Sequence, residues 1–197
     1  TSYNRLGVNA LAGSTTTING GTISSPTGSS GYGRAFQVVG KAKITGGTIT
    51  SGGSSGAGDN YMNAIGVYGN GHLTIQPAEG KTVNVESATD YAVALMESST
   101  VDIYGGNFTC KGSRVDILDI YNTCTLNVYG GSFRHEPAAE YLASGTVVVQ
   151  ENDRYVVKQA EAVSAVTVNN YDELKAALNG DILQPKAITL GADVTIP

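Results

Sequence analysis

Apolar and polar residues alternate with period two through four copies of one phrase. The copies are Thr16-Thr17-Ile18-Asn19-Gly20-Gly21-Thr22-Ile23, Ala42-Lys43-Ile44-Thr45-Gly46-Gly47-Thr48-Ile49, Val101-Asp102-Ile103-Tyr104-Gly105-Gly106-Asn107-Phe108 and Leu126-Asn127-Val128-Tyr129-Gly130-Gly131-Ser132-Phe133. A degenerate fifth copy stands between the second and third, at Leu73-Thr74-Ile75-Gln76-Pro77. Such alternation predicts strands with one face inward and one outward. The Gly-Gly pair supplies a bend that a Cβ would resist. Counted between Ile18, Ile44, Ile75, Ile103 and Val128, the steps are 26, 31, 28 and 25 residues. A period of this length is the mark of a repeat architecture in which each unit buries its face against its neighbours.

A second family of apolar runs precedes each phrase: 35–39, 64–68, 92–96 and 115–120. The longer steps carry loop-forming insertions, 51–60 and Pro77–Lys81, which leave stacked strands in register if they fall at corners. The expected fold is therefore all-β, a right-handed parallel β-helix of about five coils rising roughly 4.8 Å each. An antiparallel sandwich is the competing architecture. It does not account for identical inward residues at a fixed register. One interior column should hold Ile18, Ile44, Ile75, Ile103 and Val128, and another Ile23, Ile49, Val83, Phe108 and Phe133.

After Phe133 the pattern changes. Residues 136–142 read as a short helical turn beginning near Pro137, and 145–149 with 155–158 as a hairpin around a polar loop. This segment is expected to cover the open end of the stack. The division that follows is coils over 1–135, a cap over 136–159, a linker over 160–165, and over 166–197 the opening of a further, truncated domain. Within that last part, 170–178 reads as a capped amphipathic helix and 187–196 as a strand.

Composition narrows the function. A net charge of −5 and a pI near 4.9 argue against nucleic acid and anionic membrane surfaces as partners. No apolar run approaches the ~18 residues of a membrane span. These residues include no signal peptide, and upstream sequence is expected to have preceded Thr1 and been removed. Cys110 and Cys124 both fall at inward positions and are expected as free buried thiols, with a disulfide as the alternative. His72 and His135 lie at different points of the coil and show no zinc spacing. No cofactor is expected, because no phosphate-binding glycine motif precedes a helix. Asp116 and Asp119 form the best acidic pair, but three residues apart on one strand they should point to opposite faces, one of them lying inward or at a corner. Arg134-His135-Glu136 reads as a solvated corner.

Tyr104 and Tyr129 share an outward position on adjacent rungs, as do Asp102 and Asn127. Two rings stacked roughly 4.8 Å apart beside a carboxylate and an amide could meet the apolar face and the hydroxyls of a sugar. An ordinary side-chain ladder that stabilises stacking is the structural alternative.

The coils with Gly-Gly-Thr-Ile or Gly-Gly-Ser-Phe phrases resemble the pectin-lyase-like β-helix repeats of large surface proteins of gut bacteria. The series Gly130-Gly131-Ser132-Phe133, Pro137, Tyr141, Gly145 and Tyr155-Val156-Val157 is similar to their end-of-helix segment. The series Asp172-Glu173-Leu174, Ala177-Leu178 and Ile188 to Asp193 is similar to the element that opens another β-helix in those proteins. The resemblance implies a secreted or surface context, with glycans or a host surface and further domains of the same polypeptide as partners. Lyases of this superfamily pair a basic residue with an acidic calcium site, and hydrolases need two carboxylates across the scissile bond. Neither arrangement is evident here. The reading reached is a non-catalytic spacer or adhesion module without membrane insertion. A polysaccharide lyase or glycoside hydrolase, and the shaft of a phage tail or head fibre, are the alternatives.

Overall fold

The computed structural model describes residues 7–25, 34–52, 63–160, 165–178 and 187–196. The expected loop insertion at 53–60 lies outside them. Residues up to Gln159 form one compact unit and Ala160 onward a second.

The first unit is a parallel β-solenoid. Its first coil carries β1 (Val8–Ala10) and β2 (Thr15–Ser25), and its second β3 (Phe36–Val38) and β4 (Lys41–Ser51). The third holds β5 (Ile65–Val67), β6 (His72–Ile75) and β7 (Val83–Ser87). The fourth holds β8 (Val93–Leu95), β9 (Thr100–Ile103) and β10 (Asn107–Cys110). The fifth holds β11 (Ile117–Asp119), β12 (Thr125–Val128) and β13 (Gly131–Phe133). Stacking generates three faces. The first is β1-β3-β5-β8-β11. The second runs through the leading halves of β2 and β4 to β6, β9 and β12, and the third through their trailing halves to β7, β10 and β13.

The first predicted column is present: Ile18 pairs with Ile44, Ile44 with Ile75, Ile75 with Ile103 and Ile103 with Val128. The last four are fully buried, and each contributes roughly 1.5–3 kcal/mol of apolar burial. The second column needs one correction. Ile49 pairs with Val85, not Val83, and Val85 with Phe108. Val83 instead lies opposite Gly47. The third coil lacks the Gly-Gly pair, and its turn over Pro77–Lys81 returns the chain to the ladder where the second glycine would stand. Column two ends in a stacked Phe108–Phe133 pair, centroids 4.9 Å apart.

The glycine corners are conformational necessities. The second glycine of each pair has positive φ, +80° at Gly21, +111° at Gly47 and Gly106, and +129° at Gly131. A Cβ on Gly47 would stand 2.8 Å from the carbonyl oxygen of Gly21 in the coil below. Side chains are therefore excluded twice there, by backbone conformation and by stacking.

Beyond β13 a single 3₁₀ turn (Ala139–Tyr141) leads into β14 (Thr146–Glu151) and β15 (Arg154–Gln159). The hairpin is tighter than the polar loop expected over 150–154. The ladder continues through Glu151↔Arg154, around Asn152 and Asp153 with φ of 48° and 61°. That is a two-residue turn of the kind that fits strand twist. β15 adds antiparallel to β13, while Tyr141, Leu142, Val148 and Tyr155 pack on the core and Val157 is buried in it. The cap thus pairs the last strand of the third face and covers the apolar end together.

The second unit contains β16 (Ala165–Val168), α1 (Tyr171–Leu178) and β17 (Ala187–Leu190), the two strands parallel. No strand was expected at β16: residue 165 fell in the expected linker and 166–168 in the opening of the further domain, ahead of the helix over 170–178. The four residues of β16 are too few for alternation to stand out beside 160–165. The strand expected over 187–196 stops at Leu190, because β16, its one ladder partner among the described residues, ends at Val168 ahead of the helix. Among the described residues, no helix is long and apolar enough to cross a membrane.

Candidate functional site

Alternation on β9 and β12 turns Asp102 and Asn127 outward, and the register places them side by side. The Nδ2 of Asn127 donates to Asp102 Oδ1 at 2.8 Å. One residue beyond each strand, before the glycine corner, Tyr104 and Tyr129 stack with centroids 4.5 Å apart and planes 2° from parallel. All four predicted residues therefore form one outward patch across the fourth and fifth coils. Tyr104 remains 46% exposed. Its phenol is pushed up from the usual tyrosine range by desolvation, by the neighbouring Tyr129 and by Asp102.

One feature of the patch was not anticipated. His72 joins it: Nε2 lies 2.8 Å from Asp102 Oδ2. A carboxylate only accepts, so the ring nitrogen donates. His72 is opposite Thr100 in the ladder, so this is a diagonal contact, invisible to pairwise counting. The rings stack as their place on adjacent rungs led one to expect, and so cover one another's inner faces. A sugar would meet the outer ring faces, the phenol edges and the amide of Asn127, rather than a two-ring platform.

The acidic pair is placed differently from the expectation of opposite faces. Asp119 lies opposite Leu95 on the interior side of β11, and Asp116 sits at the corner just before that strand. Strand alternation does not extend across a corner, so both carboxylates are buried, 1% exposed at Asp116 and 5% at Asp119. Asp119 accepts the backbone N–H of Cys124 at 2.7 Å and of Tyr121 at 3.1 Å, closing the turn around Asn122. Asp116 accepts the backbone N–H groups of Cys110 and His135, the latter at 2.7 Å. Both carboxylates are engaged by backbone amides. They satisfy backbone donors that burial would otherwise strand.

Arg134-His135-Glu136 is not simply a solvated corner. His135 is drawn against Asp116, with Nδ1 3.3 Å from Oδ1. The cysteines are free; Cys110 is buried as expected, whereas Cys124 is only half-buried. Burial pushes both thiols up from their usual value, which keeps them protonated and poorly nucleophilic at neutral pH. Among the described residues, no three His, Cys, Asp or Glu side chains converge as a metal-binding group.

No protein-family model, curated protein or solved structure matches the chain.

Proposed function

We propose that this chain is a non-catalytic β-solenoid module of a secreted or surface-anchored bacterial protein, one that spaces and adheres, contacting glycans through the outward patch on its fourth and fifth coils. The observation that carries the reading is the pair Tyr104–Tyr129 stacked beside Asp102–Asn127 on a strand face that has no core to fill. Interior packing does not require aromatic rings at that position. Exposed rings next to amide and carboxylate groups suit the mixed apolar and hydroxyl surface of a sugar. Against an enzyme of the pectin-lyase-like type stands the engagement of Asp116 and Asp119 with backbone amides, which leaves no open carboxylate pair in the fifth coil. The sequence resemblance to β-helix repeats of gut-bacterial surface proteins supports the extracellular setting.

A glycan array run beside a reducing-end and unsaturated-end assay on the same sample tests this. Retention of one glycan class without product release is expected. Tyr104→Ala with Tyr129→Ala should abolish that retention and lower stability by no more than about 0.5–1.5 kcal/mol, the worth of an aromatic pair beyond its area. Retention that survives both substitutions would remove the patch from the binding face, and product release would replace the module reading with an enzyme.

A further inference from the structure

A cleft of about 240 Å³ lies at the far end of the solenoid, between β11, the Arg134–Glu136 corner and the 3₁₀ turn of the cap. It is separate from the tyrosine patch: none of Asp102, Tyr104, Asn127 and Tyr129 lines it. Val115, Ile117, Leu118, Pro137 and Ala138 give it apolar walls. Its polar lining is Asp116, Asn122, His135, Glu136, Glu140 and Tyr141.

The donor and acceptor inventory of that lining is lopsided. Asp116 is buried and already accepts two backbone N–H groups, so it can only accept from His135 Nδ1. With Nδ1 donating to Asp116, Nε2 is the free acceptor whenever the ring carries a single proton. His135 keeps 30% of its side chain exposed. Glu136 and Glu140 add acceptors and negative charge, and among the described residues no Lys or Arg lines the cleft. Asn122 and the Tyr141 phenol, which burial keeps protonated, are the polar groups that can both donate and accept. Such a lining leaves an anion uncompensated and a neutral apolar group without partners for the acceptors. It suits a donor-only, positively charged group on a short apolar stem. The volume falls below the ~300–1,000 Å³ of pockets that hold drug-sized ligands, so the occupant is about the size of an alkylamine.

We propose that this cleft is a binding site for a small alkylammonium group, with Glu136 and Glu140 neutralising the charge, His135 Nε2 accepting one N–H, and the Val115–Leu118 wall and Pro137 covering the stem. Asp116 acts as the positioning residue that sets the imidazole tautomer.

The test is an NMR titration of the whole chain with n-butylammonium, butyrate and 1-butanol, followed at the backbone amides of His135, Glu140 and Tyr141. Saturable shifts in the millimolar range are expected with butylammonium and not with the other two. Glu136→Gln with Glu140→Gln, both exposed and remote from the core, should raise the half-saturating concentration about tenfold, since two exposed ion pairs with the ammonium are lost together. Equal response to butyrate or butanol, absence of saturation with butylammonium, or full affinity in the double variant would each overturn the assignment. Loss of tyrosine-patch glycan binding would leave it untouched, because the two sites share no residue.

Discussion

Arg154 offers the sharpest test of how the cap holds the stack. It opens β15, yet its guanidinium reaches into the two coils below. Nε donates to Ser132 Oγ at 2.6 Å, Nη2 to the carbonyls of Ser132 and Phe108 at 2.8 Å each, and Nη1 to Thr109 Oγ1 at 3.3 Å. A charged donor is worth ~1.5–3 kcal/mol per hydrogen bond, so three good contacts sum to roughly 5–9 kcal/mol if taken singly. Arg154 is only half-buried, however, and water can replace part of each contact when the side chain is removed. The carbonyl of Phe108 also keeps the backbone N–H of Arg134, at 3.2 Å. The net loss expected for Arg154→Ala is therefore about 2–3 kcal/mol, a fall in melting temperature of roughly 5–10 °C for a chain of this size. Arg154→Lys keeps the charge but not the fork, and should recover less than half of the loss. Unfolding in urea followed by circular dichroism gives the stability. Hydrogen exchange at Ser132, Arg134 and Val157 shows whether the cap opens first. A loss under ~0.5 kcal/mol, the range of an ordinary surface substitution, would refute the clamp, as would a lysine variant equal to the parent.

The other expectations concern the core and the second unit. Ile103→Asp puts a carboxylate in a fully buried central rung. It forfeits roughly 1.5–3 kcal/mol of burial and, even as the neutral acid, adds a desolvation cost of ~2–7 kcal/mol, comparable with the ~5–15 kcal/mol of a whole domain. The variant should lose its strand signal in circular dichroism, and a cooperative native transition would contradict the interior assignment. In the second unit Glu173 accepts from the backbone N–H of Asn169 and from Asn170 Nδ2, each at 2.8 Å, while its own N–H donates to Asn170 Oδ1 at 2.9 Å. The Asn169 amide first, then Asn170, holds its carboxyl below the usual range. A depressed folded value stabilises above the unfolded pKa and is lost as pH falls through the folded one. NMR signals of α1 should therefore lose helical character on acidification below the ordinary glutamate range, and Glu173→Gln should flatten that dependence. Helical shifts identical at acid and neutral pH in the parent would count against the capping box.

The solenoid was legible in the sequence because its determinants are local and repeated. Ile18, Ile44, Ile75, Ile103 and Val128 sit two residues before each bend, so one alternation rule read five times yields both the strand and the register. The same rule put Tyr104, Tyr129, Asp102 and Asn127 on the outer surface of neighbouring rungs. It placed Val83 in the wrong column because the third coil has no glycine pair to mark its corner, and only the ladder with Gly47 shows how far its turn extends. Corners are where sequence reasoning lost hold. Asp116 precedes a strand, and its side chain turns inward to meet amides six and nineteen residues away. Contacts between coils were equally hidden: His72 meets Asp102 thirty residues on, and Arg154 meets Phe108 across forty-six. Period and face are written in the spacing of neighbouring residues. Which polar groups meet at a corner, across a diagonal or under a cap depends on stacking distant segments at strand separation, and only the tertiary structure decided that.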